Sequence, residues 1–143
     1  MRRLLPLVIL LATTACAARA PVVEFRPRAG STGPFSEAVR VDGLLFLSGM
    51  LGTDSTGRLA PGGVGPETQQ TLENIKAALE RNGLGMDRVV KCTVFLADIA
   101  EWAAMNRVYA TYFPTNRPAR SAVGGAGLVR GARVEIECIA AIQ

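Results

Sequence analysis

The chain has 143 residues, of which 49% are hydrophobic and 20% are charged, which suits one domain with an apolar core and leaves no room for two. Histidine is absent, which excludes the usual general base and every Ser-His or Cys-His pair. The net charge of +4 includes Arg2 and Arg3 of the leader, and the remaining 14 basic and 12 acidic residues form no basic cluster, so no nucleic-acid partner is expected.

The first 15 residues resemble a bacterial secretory signal peptide. Two arginines precede the apolar run at residues 4–12, and small residues follow it up to Cys16. The apolar run is too short to cross a bilayer as a helix. The order resembles a lipoprotein signal, so we expect cleavage before Cys16 and a diacylglyceryl group on its sulfur. Ala17, in place of Asp, favours the outer membrane and its periplasmic face.

Two alternatives to lipidation stay open at this stage. Thr13 stands where lipoprotein signals usually carry an aliphatic residue, and Ala18-Arg19-Ala20 resembles an ordinary cleavage site, although Pro21 directly after it disfavours cleavage there. The chain start could also be misassigned upstream of a soluble domain.

Residues 16–33 are rich in Pro, Ala, Arg and Gly, which predicts a tether that ends in a short strand near residues 22–25. The domain proper is expected over residues 34–143. Asp42-Gly43 between two β-prone runs predicts an antiparallel hairpin. A glycine-rich loop then leads to a helix from Pro66 to about residue 81, whose apolar residues recur at helical spacing and form one face.

The second half predicts strand, helix, strand and strand. The β-branched run at residues 89–96 predicts a strand, and Asp98 with Glu101 resembles a capping box for a helix over residues 99–113. Two strands follow, over residues 120–124 and 133–142. This order favours an α+β fold in which both helices pack on one face of a mixed sheet, and symmetric association would cover the bare face.

Several short segments of the chain stand in an order and at a spacing that chance does not explain. They are Gly33-Pro34-Phe35-Ser36-Glu37-Ala38-Val39, Leu47-Ser48-Gly49, the helix–strand unit from Thr71 to Leu96, and Arg117-Pro118-Ala119-Arg120-Ser121 followed by Val134-Glu135-Ile136-Glu137-Cys138-Ile139-Ala140. Together they resemble the reactive-intermediate deaminase superfamily, known as RidA or YjgF-type. The resemblance implies a chorismate-mutase-like homotrimer with a pocket at each subunit interface. It also implies hydrolysis of enamines and imines of small amino acids to 2-keto acid and ammonia, without metal or organic cofactor.

The resemblance assigns roles to individual residues. Arg120 matches the arginine that binds the substrate carboxylate, for which a planar guanidinium fork is suited. Glu135 matches the glutamate that positions the attacking water. Asn106 is placed near the pocket, and the strand end at Ser48-Gly49 is expected to offer backbone donors.

Two departures from the family pattern bear on activity. Phe35 stands where many members carry Tyr, and Ala122 replaces a pocket cysteine, so a hydroxyl and a thiol are missing. Two alternatives to the deaminase therefore stay open: a non-catalytic lipoprotein that binds small carboxylates, and a hydrolase of another C–N bond.

The remaining cysteines and aromatic residues are interpreted as structural. Cys92 and Cys138 lie within apolar strands and have no metal-ligand spacing, so they are expected in the core, and whether they pair stays open. Trp102 and Tyr109, at helical spacing, are attributed to helix packing.

Overall fold

The structure is a computed structural model that describes residues 19–30, 32–125 and 127–142. It has seven strands, two α-helices and three short 3₁₀ turns in these residues, and none of the helices there is long and apolar enough to cross a membrane. The leader and Cys16 lie outside the described residues. The elements are β1 (Val23–Arg26), β2 (Ala38–Val41), β3 (Leu44–Leu47), β4 (Met50–Leu51), α1 (Val64–Arg81), β5 (Val89–Leu96), α2 (Trp102–Tyr112), β6 (Ala119–Gly124) and β7 (Val134–Ala141).

The strands form one mixed sheet in the order β1-β2-β3-β7-β5-β6, and β4 also pairs with β7. Only β5 and β6 pair in parallel; the other pairs are antiparallel. The parallel pair is joined through α2, as a parallel connection requires a crossover. The predicted α+β fold is confirmed, and the sheet begins at Val23, inside the segment interpreted as a tether.

The predicted hairpin joins β2 to β3, with Val41 opposite Leu44. Asp42 has a φ of 49°, which an L-residue adopts at low cost mainly when it is Asn or Asp. Its Oδ1 accepts a hydrogen bond from the backbone N–H of Val22 at 3.0 Å. The turn residue therefore also ties down the start of β1.

One face of the sheet is covered by the helices and forms the core. Leu72, Ile75 and Leu79 of α1, together with Met105 of α2, have no exposed surface. They pack over alternate residues of β5 and β7, because side chains alternate between the faces of a strand. Burial of each such side chain contributes about 1.5–3 kcal/mol, so this layer holds the fold together.

A disulfide joins Cys92 of β5 to Cys138 of β7. The two residues are direct partners in the antiparallel register and lie on the helix-covered face. The pairing, which the sequence left open, therefore crosslinks two central strands inside the core.

The opposite face of the sheet carries exposed apolar side chains. Phe25, Val39, Phe46 and Ile139 are neighbours across β1, β2, β3 and β7, and Phe25 is 69% exposed. No element of the described chain covers this face, which we call the open face.

The beginning of α2 differs from the prediction of a helix over 99–113. A short 3₁₀ turn spans Ile99–Glu101, and the α-helix starts at Trp102. Asp98 accepts a hydrogen bond from the N–H of Ala100 at 2.9 Å, as a cap should. The reciprocal half of the expected capping box is missing, because the Glu101 carboxylate instead pairs with Arg133.

Candidate functional site

Arg120 lies on β6, an edge strand, and its side chain points toward the helix layer. Its register partner is the fully buried Cys92, which sets that orientation. Trp102, Asn106 and Tyr109 fall on one side of α2 at spacings of four and three residues. The carbon at the centre of the guanidinium lies 4.6 Å from the centroid of the Tyr109 ring and 5.8 Å from that of Trp102.

These distances place the guanidinium in cation–π contact with both rings. Among residues 19–30, 32–125 and 127–142, no hydrogen bond or ion pair engages the Arg120 side chain. A cation–π contact satisfies no N–H donor with an oxygen acceptor, so the guanidinium keeps donors available for a ligand. A carboxylate is the group that such a fork binds in bidentate fashion.

Tyr109 forms the rigid side of this arrangement. Its side chain is 6% exposed and its ring packs against Phe113 at 4.8 Å. Burial raises the pKa of Tyr109 to about 12, against a smaller opposing effect of Arg120. Its hydroxyl is buried and finds no partner in the described residues. The expectation that Trp102 and Tyr109 serve helix packing thus holds for Tyr109 but omits their contact with Arg120.

Glu135 lies on the other side of the sheet. Its neighbours Val134 and Ile136 are fully buried under the helices, so alternation directs Glu135 to the open face. Its carboxylate packs directly against Gly49, where any Cβ would collide with Oε1. Glycine at position 49 is therefore what admits the carboxylate.

A cavity of about 330 Å³ lies beside Gly49, between α1 and the β3–β4 strand end. The predicted site residues Phe35 and Ser48 line it. The Ser48 hydroxyl donates to the Ser36 carbonyl at 2.7 Å, and the Ser48 N–H donates to the Glu37 carbonyl at 3.0 Å. Ser48 therefore offers no free backbone donor, and such a donor would have to come from Gly49.

Several residues at the cavity were not among the predicted site residues, although Glu37 and Asn74 lie within segments that carry the family resemblance. Asn74 of α1 donates to the carbonyls of Leu51 and Thr53, both at 2.9 Å, and so fixes the strand end. Glu37 and Arg81, separated by 44 positions, form an ion pair at 2.6 Å that keeps the pKa of Arg81 above its usual value. Long-range partners of this kind follow from tertiary packing alone.

The predicted site residues thus form two groups. Arg120, Asn106 and Ala122 belong to β6 and α2 on the helix-covered side, whereas Phe35, Ser48, Gly49 and Glu135 belong to the cavity and the open face. Arg120 and Glu135 point to opposite faces of one sheet, so a single chain does not bring them to the same substrate. Across the described ranges, no three His, Cys, Asp or Glu residues are grouped closely enough to hold a metal.

Comparison with known proteins gives one consistent group. The family model described as Endoribonuclease L-PSP matches residues 26–142. The 2-iminobutanoate/2-iminopropanoate deaminase of Mus musculus is 44% identical over 120 residues, covering 83% of this chain and 89% of the relative. The solved structure of RidA from a Psychrobacter species is 38% identical with a TM-score of 0.74, covering 82% and 94%. The YjgF gene product of E. coli is 33% identical with a TM-score of 0.74, covering 82% and 94%.

Proposed function

Because the chain belongs to the RidA/YjgF family, the Endoribonuclease L-PSP family of the matching model, we infer that it hydrolyses enamine and imine intermediates of small amino acids to 2-keto acid and ammonia. The observation that carries this inference is the Arg120 guanidinium, held by two aromatic rings with its donors free. Such a group binds the carboxylate that 2-imino acids share. The names of the relatives, including Reactive Intermediate Deaminase A of Arabidopsis thaliana, point to the same chemistry.

The reaction needs a bound carboxylate and a placed water. Arg120 holds the substrate carboxylate, which fixes the position of the adjacent C=N carbon. As water adds to that carbon, Glu135 accepts its proton, and the C=N electron pair moves to nitrogen, which is protonated. The C–N bond then breaks and ammonia leaves, while the hydroxyl loses its proton to give the ketone. An enamine first takes a proton on carbon to become the imine.

A homotrimer would unite the two groups of residues. Arg120 and Glu135 face opposite sides of one sheet, so a site containing both needs Arg120 from one protomer and Glu135 from the next. The exposed apolar side chains Phe25 and Phe46 on the open face favour association over a monomer. Both observations support a pocket between subunits.

The test is release of 2-keto acid from freshly generated 2-aminoacrylate and 2-iminobutanoate. We expect wild type to accelerate release over buffer, and Arg120→Ala and Glu135→Gln each to lower kcat/KM by about 10²-fold or more. Arg107→Gln, an exposed arginine of α2, is the matched control and should retain wild-type rates. A folded trimer that gives no acceleration would overturn the assignment.

A second candidate, a carboxylate-binding protein without turnover, is favoured by Phe35. Its ring lines the cavity where a tyrosine would offer a hydroxyl, and Ala122 offers no thiol on the other side. This candidate keeps the role of Arg120 in binding. It predicts saturable binding of 2-keto acids by a wild type that shows no turnover, and loss of that binding in Arg120→Ala.

We also propose that the protein is exported and anchored through a lipid on Cys16. The leader pattern motivates this proposal, and the Cys92–Cys138 disulfide supports it independently, because disulfides persist mainly in oxidising compartments. Mass measurement of the mature N-terminus tests it: we expect a lipid-modified Cys16, and an unmodified chain that begins at Met1 would refute export.

A further inference from the structure

We propose that Trp102 and Tyr109 are positioning residues for Arg120, and that the carboxylate of the substrate binds at the edge of the guanidinium beside the Trp102 indole. The proposal deepens the proposed function, on which it rests, by adding two residues that orient the binding arginine. The fluorescence of Trp102 should therefore report on ligand binding at that site.

The first step is the restraint on Arg120. An arginine on an exposed edge strand loses much side-chain entropy when it binds a ligand. Here the guanidinium lies 4.6 Å from the Tyr109 ring and 5.8 Å from the Trp102 ring, so one orientation is already favoured in the free protein. A ligand therefore meets a fork that is partly ordered before binding.

The second step is the difference between the two rings. Tyr109 is buried against Phe113 and cannot adjust, whereas Trp102, the first residue of α2, is 41% exposed. Tyr109 thus provides the buried contact with the guanidinium, and the Trp102 indole provides the solvent-accessible one, so a ligand is expected to approach on the Trp102 side. Loss of the Trp102 ring should make the Arg120 guanidinium less ordered without disturbing the core.

The third step predicts which kinetic constant changes. The carboxylate on Arg120 is bound in both the ground state and the transition state, so a less ordered guanidinium should raise KM by a larger factor than it lowers kcat. Loss of one ring contact corresponds to an increase in KM of about three- to tenfold. Trp102→Phe keeps an aromatic face and should recover most of the loss seen in Trp102→Ala.

The experiment uses the fact that Trp102 is the single tryptophan of the chain. The full chain is titrated with 2-oxobutanoate, a stable product of the proposed reaction, and indole emission is followed. We expect a saturable change in emission for wild type, loss of that change in Arg120→Ala, and about three- to tenfold weaker binding in Tyr109→Leu. Arg107→Gln should titrate like wild type.

The outcomes separate this proposal from the proposed function. Turnover by wild type combined with an unchanged KM in Trp102→Ala overturns the positioning role while the deaminase assignment stands. A saturable, Arg120-dependent change in emission without turnover overturns the deaminase assignment and keeps the role of the rings. A change in emission that persists in Arg120→Ala also overturns the positioning role. Thermal unfolding of each variant shows whether a raised KM reflects a misfolded α2.

Discussion

The two faces of the sheet differ sharply although the same strands build both. On β7, Val134, Ile136 and Cys138 are buried under the helices, while Glu135 and Glu137 alternate with them on the open face. The covered face is buried and crosslinked, so we expect it to dominate the stability of the fold. The open face combines charged groups with exposed aromatic rings, so it is available for association and chemistry. Period-two alternation lets one strand serve both purposes.

Arg120 departs from this division. It carries a charge on the helix-covered side, at the edge strand β6, where aromatic faces replace the ion pair that a charge near a core usually needs. Its position puts one part of the candidate site at the edge of the covered layer, separate from the part on the open face.

The largest expected effect tests the role of the covered face. Ile75→Ala removes a fully buried side chain, so we expect the free energy of unfolding to fall by about 2–5 kcal/mol. Val129→Ala, at a position that is 65% exposed outside the strands, should change it by less than about 0.5 kcal/mol. Urea titration measures both variants. Equal effects at the two positions would show that the covered layer does not dominate stability.

The disulfide should have the next largest effect. Replacement of Cys92 and Cys138 together by alanine should lower the free energy of unfolding by about 2–4 kcal/mol, because the crosslink no longer restricts the unfolded chain. The same denaturation, with and without reductant, measures it. Reductant should shift the midpoint for wild type and leave the double variant unchanged; a shift in neither would mean that the pair does not crosslink the protein in solution.

A substitution on the open face should weaken the oligomer and leave the stability of the single chain nearly unchanged. Phe46→Ser removes an exposed ring from that face, so we expect the oligomer to dissociate at least about tenfold more readily. The free energy of unfolding of the single chain should change by less than about 1 kcal/mol. Sedimentation at several protein concentrations measures the assembly, with Val129→Ser as the control. A monomeric wild type would remove the role proposed for this face.

The smallest effect concerns the pH dependence of stability through Tyr109. Its pKa is raised by burial from 10 to about 12, so its contribution to stability is fully present below pH 10 and is lost as pH rises toward 12. Tyr109→Phe removes that titration and also a buried hydroxyl without a partner in the described residues. The urea midpoint of this variant should therefore fall less between pH 9 and pH 11 than that of wild type. An identical fall would assign the alkaline loss to other groups.

Much of the fold follows from local patterns. Asp42-Gly43 predicted the β2–β3 hairpin, the apolar spacing around Ile75 predicted α1, and the last predicted strand corresponds to β7. The start of α2 was less accurate, because Glu101 pairs with Arg133 in place of completing the cap. The side chain of a capping residue can bind either the backbone of its own helix or a distant residue. The local contact can be predicted from the sequence, whereas the distant one depends on the fold.

The sequence by itself determined the α+β class and most of the order of elements and, through resemblance, identified Arg120 and Glu135 as candidate site residues. Tertiary structure alone decided that these two residues face opposite sides of the sheet, that Cys92 pairs with Cys138, and that Trp102 and Tyr109 hold the arginine. The physical reason is range. Turn chemistry and hydrophobic period act over a few residues, whereas strand register and packing join positions tens of residues apart whose match appears in no local pattern.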